Sequence, residues 1–270
     1  MSALRRPLAL AGIVLLAIVL LASFLGPYLT GNDPTTVQMS ERLQPPSLQY
    51  PLGTDAMGRC LFTRLAVGGQ YTLGVTAAVV AAIVLLGIPL GLISGYKGGR
   101  IDAIVMRAVD AITALPEFIL AIAAAGFLGA SLEHVVIAIV AVKWTGYARI
   151  ARSIALTERD KEYVLAARVS GSGPVKIAFR HLAPHIVPPM LALAAVDVGK
   201  VMLSIAALSY LGLGAQPPMP EWGAMLNEGR TYFQSAPALM LLPGIAIMLA
   251  VAACNLIGDG LRDALEIQRM

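Results

Sequence analysis

The sequence predicts an all-α integral membrane protein with six transmembrane helices and a short helical elbow in the cytoplasm between the fourth and fifth. Three observations carry that prediction. The 270 residues are 57% hydrophobic and only 13% charged, against about 25% charged in soluble domains. Six apolar runs approach or exceed the roughly 17–25 residues that cross a bilayer. One basic stretch between two of these runs, Thr157 to Pro184, is too charged to lie in lipid and must face water.

The first span runs from about Leu8 to Leu25, behind Arg5 and Arg6. It is longer than the roughly 7–15 residues of a signal-peptide core, so an uncleaved span is expected. Pro27 to Gly69 is polar and rich in proline and glycine, and reads as an irregular extracytoplasmic loop. The second span is Tyr71 to Gly95, kinked at Pro89, and the third is Ile101 to about Leu128, bent at Pro116. At its start Arg107 and Asp110, three residues apart, are placed to pair on one face. A tight outer loop, Gly129 to Glu133, leads to the fourth span, Val135 to about Ile150. The fifth span is Pro188 to Leu211, a second outer loop is Gly212 to Ala236, and the sixth span is Pro237 to Ile257. Gly258 to Met270 reads as a short polar tail.

The basic stretch is itself helical. Lys161 to Ser170 holds good helix formers and no breaker, and Gly171 supplies the left-handed residue that closes such a helix. Gly173-Pro174 restarts the chain, with proline suited to a first turn, and Pro184 is expected to end the second helix. Tyr163, Ala166, Ala167 and Ser170 share a narrow face of mostly small residues, suited to a groove on a partner or to a connector touching only headgroups.

Charge asymmetry orients the chain. Arg5, Arg6, Lys97, Arg100, Arg107, Arg149, Arg152, Arg159, Lys161, Arg168, Lys176, Arg180, Arg262 and Arg269 fall on one side, and Arg42, Arg59, Arg64 and Arg230 on the other. The basic side is cytoplasmic, with both termini there. Spread between spans, these charges do not indicate nucleic acid as a partner. Cys60 and Cys254 are expected on opposite sides of the membrane and unpaired, and no zinc-ligand spacing is readable. The chain has no nucleophile–base constellation, and it lacks Gly-x-x-x-x-Gly-Lys-Ser/Thr, so it is not expected to be an enzyme or to hydrolyse ATP itself.

Several separated motifs carry a resemblance. Ala166, Ala167, Gly171, Leu182 and Pro184 match a Glu-Ala-Ala…Gly…hydrophobic-x-Pro pattern, with Leu165 where the pattern has Glu. Leu52-Gly53-Thr54-Asp55-Ala56-Met57-Gly58-Arg59 matches a segment before the second span, although Cys60 replaces its usual Asp and so removes a partner for Arg59 or Arg64. Trp144 to Arg149, Leu208 to Gly214 with Pro217-Pro218 and Glu221-Trp222-Gly223, and Asn255 to Asp263 match further segments in order. Together they resemble the peptide/nickel family of ATP-binding-cassette importer permeases, over nearly the whole chain.

The resemblance implies residues 1–69 as a first span plus extracytoplasmic loop, and 70–270 as the core permease domain with a coupling loop at 157–184. It implies a cytoplasmic (inner) membrane location. The partners implied are a second, homologous permease, two ATP-binding subunits and an extracytoplasmic solute-binding protein facing the outer loops. ATP and Mg would be bound by the partner subunits, and no cofactor is expected in this chain. Glu162, Tyr163, Ala166, Ala167, Arg168 and Gly171 would meet an ATPase subunit. Closure of that subunit on ATP would tilt the fourth and fifth spans and change the side to which the path opens.

Lys143, Asp197 and Lys200 lie inside spans, where charge is costly and faces the bundle interior. Asp197 and Lys200, three apart, are placed to neutralise each other or to line the translocation path. Met202 and Met248 offer soft sulfur and His134 a candidate metal nitrogen, while packing is the ordinary role of methionine in a span. His181 and His185 read as structural. The Val196–Leu203 run, Leu165 and Lys143–Arg149 look more like nickel-type than dipeptide-type members. The expectation is half of a pathway for nickel or another divalent metal, free or chelated, with di- or oligopeptides as the alternative. A secondary ion-coupled transporter using Asp197, Lys200 and Lys143 as a relay is the rival class, although the two related halves common in such folds are not evident. A scaffold without transport is a weaker rival.

Overall fold

The computed structural model describes residues 7–267, with side chains described as far as Arg262. Arg5, Arg6 and Arg269, used in the charge argument, lie outside the described residues. The chain is helical: α1 (Pro7–Thr30), α2 (Leu61–Lys97), α3 (Gly99–Thr113), α4 (Glu117–Leu128), α5 (Leu132–Glu158), α6 (Glu162–Val169), α7 (Pro174–Ile177), α8 (Ala183–Tyr210), α9 (Trp222–Arg230) and α10 (Ala238–Ile267). Among the described residues, five helical stretches are long and apolar enough to cross a membrane, and the bent pair α3–α4 makes a sixth if counted as one span.

Several boundaries differ from the sequence expectation, each for a local reason. The first helix does not stop at Pro27 but continues to Thr30. Proline removes the donor that would reach the carbonyl of Ser23, and Gln70 Nε2 donates to that carbonyl at 2.8 Å instead. The loop before α2 is shorter than expected, because α2 already starts at Leu61. The stretch expected as the third span is two helices, α3 and α4, meeting at 89° across a break that contains Pro116. Arg107 and Asp110 are not the pair that forms. Asp110 Oδ1 accepts from Arg149 at 3.1 Å, and Asp102 accepts from Arg152 Nη2 at 2.6 Å, which ties α3 to α5.

Pro184 does not end a helix either. A π turn at Ala178–Leu182 lies between α7 and α8, and the helix runs without a break from Pro174 to Tyr210. The wider turn shifts the hydrogen-bond register just where proline withdraws its donor. The second outer loop contains α9. Its start is set by Glu221, whose side chain accepts from the amides of Gly223 and Ala224, both at 3.0 Å, a charged cap on the positive helix end. The expected polar tail is helical as far as Ile267, the last residue of α10.

The largest helix–helix interface joins α2 to α5. Gly87, Gly91 and Gly95 recur every four residues on α2 and face Tyr147, Ala148, Ala151 and Ala155 on α5. Small residues let two backbones approach where lipid provides no hydrophobic drive for association. A Cβ on Gly91 would lie 2.3 Å from the Ala148 carbonyl oxygen. Gly91→Val is therefore expected to cost about 1–3 kcal/mol or more. The measurement is thermal aggregation of the detergent-solubilised protein, where a midpoint equal to wild type would contradict this packing.

One core cluster gathers α2, α4, α5 and α8 around Ile83, Ile139, Ile186 and Ile205. A second, around Trp222, Leu61 and Met202, joins α1, α2, α8, α9 and α10. The first reaches down to Val164 and Ile177, so the elbow is seated on the bundle rather than hanging from it.

Candidate functional site

The elbow is built as its sequence dictates. Gly171 has φ of 81°, its amide donates to the carbonyl of Arg168, and the next amide, Ser172, donates to Ala167, both at 3.0 Å. That double bond pattern is the Schellman closure of a helix by a left-handed residue. Pro174 then occupies the first turn of α7. Inside the elbow, Val164 is fully buried, Arg168 stacks its guanidinium over the Tyr96 ring at 5.6 Å, and Arg159 Nη1 donates to the Gly95 carbonyl at 2.9 Å.

Glu158 accepts from Lys161 Nζ at 2.8 Å and from the Tyr163 hydroxyl at 2.7 Å. Burial first, and the bond to Glu158 second, push the Tyr163 phenol up to about 12. It therefore stays protonated, and a donor, across the physiological range. His185 and His181 flank its ring at 5.5 and 6.4 Å.

Of the residues expected to face a partner, Glu162, Ala166, Arg168 and Gly171 are exposed, and Ala167 is half-buried. Tyr163 keeps an exposed ring edge, but its hydroxyl is spent inside the chain. Sequence reasoning passed over the larger apolar surface beside them. Val169, Val175 and Phe179 are strongly exposed on the same elbow. Three apolar side chains inside an otherwise basic, water-facing stretch were the available signal.

The charges inside the spans converge on one open cavity of about 320 Å³, whose lining includes Thr113, Glu117, Lys143, Tyr147, Asp197 and Lys200. A neighbouring cavity of about 240 Å³ shares Glu117 and Lys143. Asp197 Oδ1 accepts from Lys200 Nζ at 2.9 Å and Oδ2 from the Tyr147 hydroxyl at 3.1 Å. Lys143 forms an ion pair with Glu117 at the start of α4. The pairing of Asp197 with Lys200 matches the expectation. Glu117 and Tyr147 were missed, because their partners lie on other helices.

Met202 is fully buried in the cluster around Trp222, and is not among the residues lining either cavity. Met248 is exposed on the outside of α10. His134 places Nδ1 2.8 Å from the Gly129 carbonyl oxygen, and among the described residues no group of three or more His, Cys, Asp or Glu comes together as a metal site. Both cysteines are buried free thiols.

A third assembly lies at the other end of the bundle. Asp55, Arg59, Arg64 and Glu228 form a closed, charge-neutral ring. Arg59 reaches Asp55 and Glu228, both at 2.7 Å, and Arg64 reaches them at 3.2 and 2.9 Å. Cys60 therefore does not leave these arginines short of partners, as the sequence suggested. Glu228 on α9 takes the place expected of an aspartate at 60.

Residues 87–268 match the family described as the binding-protein-dependent transport system inner membrane component, and residues 3–46 match the N-terminal TM domain of oligopeptide transport permease C. This chain belongs to the peptide/nickel family of ABC importer permeases. As such it is a multi-pass inner-membrane permease, not the ATPase, and works with ATPase and binding-protein partners. The secondary-transporter and scaffold rivals fall away.

The permease is 40% identical to a dipeptide transport system permease protein of Alkalihalophilus pseudofirmus, over 97% of this chain and 86% of that one. It is 41% identical to a nickel transport system permease protein of Escherichia coli, over 96% and 92%. In fold it resembles the MetNI methionine ABC transporter in an inward-facing conformation, with a TM-score of 0.57, 18% identity, and coverage of 72% of this chain and 93% of that one.

Proposed function

We propose that this permease and a second, similar one enclose the translocation pathway for a small charged organic solute, either a dipeptide or a metal held in a chelate. The supporting observation is the mixed-charge cavity. Lys143 and Lys200 bring two ammonium groups to it, and Glu117 and Asp197 two carboxylates, a balanced set that suits a solute carrying both signs better than a bare divalent cation. The sequence leaned toward nickel or another divalent metal, free or chelated; of these the balanced cavity favours the chelated form. A chelated metal stays in view because the nickel and dipeptide relatives are equally similar. Both termini are placed in the cytoplasm on the charge asymmetry. The elbow of α6 and α7 is the docking element for one of two ATPase subunits, presenting Val169, Val175 and Phe179 beside Glu162, Ala166, Ala167, Arg168 and Gly171. ATP and Mg would sit in those subunits.

The test is uptake by the full transporter, reconstituted with its binding protein. Tritiated dialanine and nickel-63, free and chelated, are the probes. ATP-dependent uptake of dialanine or of chelated nickel is expected. Uptake that runs on a proton gradient without the ATPase subunits, or that takes only uncomplexed nickel, would overturn the reading.

A further inference from the structure

We propose that the two ion pairs of the cavity form an exchange site for a zwitterionic solute, in which Asp197 takes the solute's cationic group and Lys143 its carboxylate. The inference rests on reading the cavity as part of the translocation pathway.

It comes from an asymmetry repeated in both pairs. The Asp197 side chain is 19% exposed and its partner Lys200 62%. The Lys143 side chain is 17% exposed and its partner Glu117 55%. Each pair thus has one enclosed member and one that opens into the cavity. The enclosed members carry opposite charge, sit on different helices, α8 and α5, and line the same space. The buried Tyr147 hydroxyl holds Asp197 independently of Lys200. The exposed members behave as internal substitutes for the two ends of a zwitterion, with Lys200 Nζ in the place of its ammonium and Glu117 in the place of its carboxylate.

Exchange conserves the number of ion pairs. A solute ammonium that displaces Lys200, and a solute carboxylate that displaces Glu117, leave both enclosed charges neutralised while the released side chains turn to water. That avoids the cost of an unpaired charge in a low-dielectric site. The two states are then close in energy, so the solute enters without being trapped, which a conducting path requires. A volume of about 320 Å³ lies at the lower end of small-molecule sites.

The test uses the complete transporter in proteoliposomes with tritiated dialanine, reading uptake and, separately, ATPase stimulation by the loaded binding protein. Lys143→Gln and Asp197→Asn are each expected to lower uptake about tenfold, the order expected from loss of one charge pair to the solute, with stimulation retained. The double variants Lys143→Gln with Glu117→Gln, and Asp197→Asn with Lys200→Gln, leave no internal charge unpaired, and are expected to stay as low as the singles. Recovery of uptake in the doubles would show that Lys143 and Asp197 merely neutralise their neighbours, and would overturn the proposal. So would wild-type uptake by the single variants, or loss of stimulation together with uptake. A wild-type complex that moves neither dialanine nor chelated nickel with ATP would instead defeat the pathway reading itself.

Discussion

Arg64→Ala is expected to destabilise the permease by about 3–5 kcal/mol, the range for breaking a buried ion pair by removing one partner. The side chain is 1% exposed. Its guanidinium holds Asp55 in the loop before α2 and Glu228 on α9, and Nη1 also donates to the carbonyls of Pro34 and Pro218 at 3.3 and 3.5 Å. Four separate segments meet at one side chain. Alanine leaves two carboxylates facing Arg59 alone, an uncompensated negative charge in a nearly closed site. Arg64→Lys keeps the charge but loses the fork that serves several acceptors at once, and falls between alanine and wild type. The measurement is the thermal midpoint of the purified protein in detergent. A midpoint for Arg64→Ala within error of wild type would refute the assignment.

The second large effect is on coupling rather than stability. Gly171→Asp is expected to leave membrane insertion intact and to lower binding-protein-stimulated uptake about tenfold or more. A Cβ at Gly171 meets nothing within 4 Å, so the change is not one of crowding. It acts through φ of 81°, which costs a side-chain-bearing residue about 1–2 kcal/mol, and through a negative charge at the carboxyl end of α6, where the helix dipole disfavours it. Both open the Schellman turn that sets the angle between α6 and α7. Gly171→Asn, a residue also found at the left-handed position that closes a helix, adds no charge and should retain much of the activity. Normal uptake by Gly171→Asp would count against the docking role.

What the sequence revealed follows the range of each interaction. The closure at Gly171, the restart at Pro174 and the pairing of Asp197 with Lys200 are settled within a few residues, and all were readable. The ring of Asp55, Arg59, Arg64 and Glu228 was not, because Glu228 lies 169 and 164 positions from its arginines. Glu117 hid for a related reason: beside Pro116 it looks like a bend residue, and only the fold brings Lys143 to it. Proline misled twice. At Pro27 a side chain from another helix occupies the freed carbonyl, and at Pro184 a π turn precedes the ring. Neither remedy is visible in the neighbouring residues.

The unbroken helix from Pro174 to Tyr210 has a mechanical consequence. Its 37 residues make a rod roughly 55 Å long at 1.5 Å per residue, with the elbow's Phe179 near one tip and Tyr210 at the other. A continuous helix held at its middle works as a lever. Tilting it by about 5° about a central fulcrum would swing each tip by about 2.4 Å in opposite senses, so one end of the passage narrows as the other widens. Had Pro184 been a joint, the push of a motor would have been absorbed at the membrane surface.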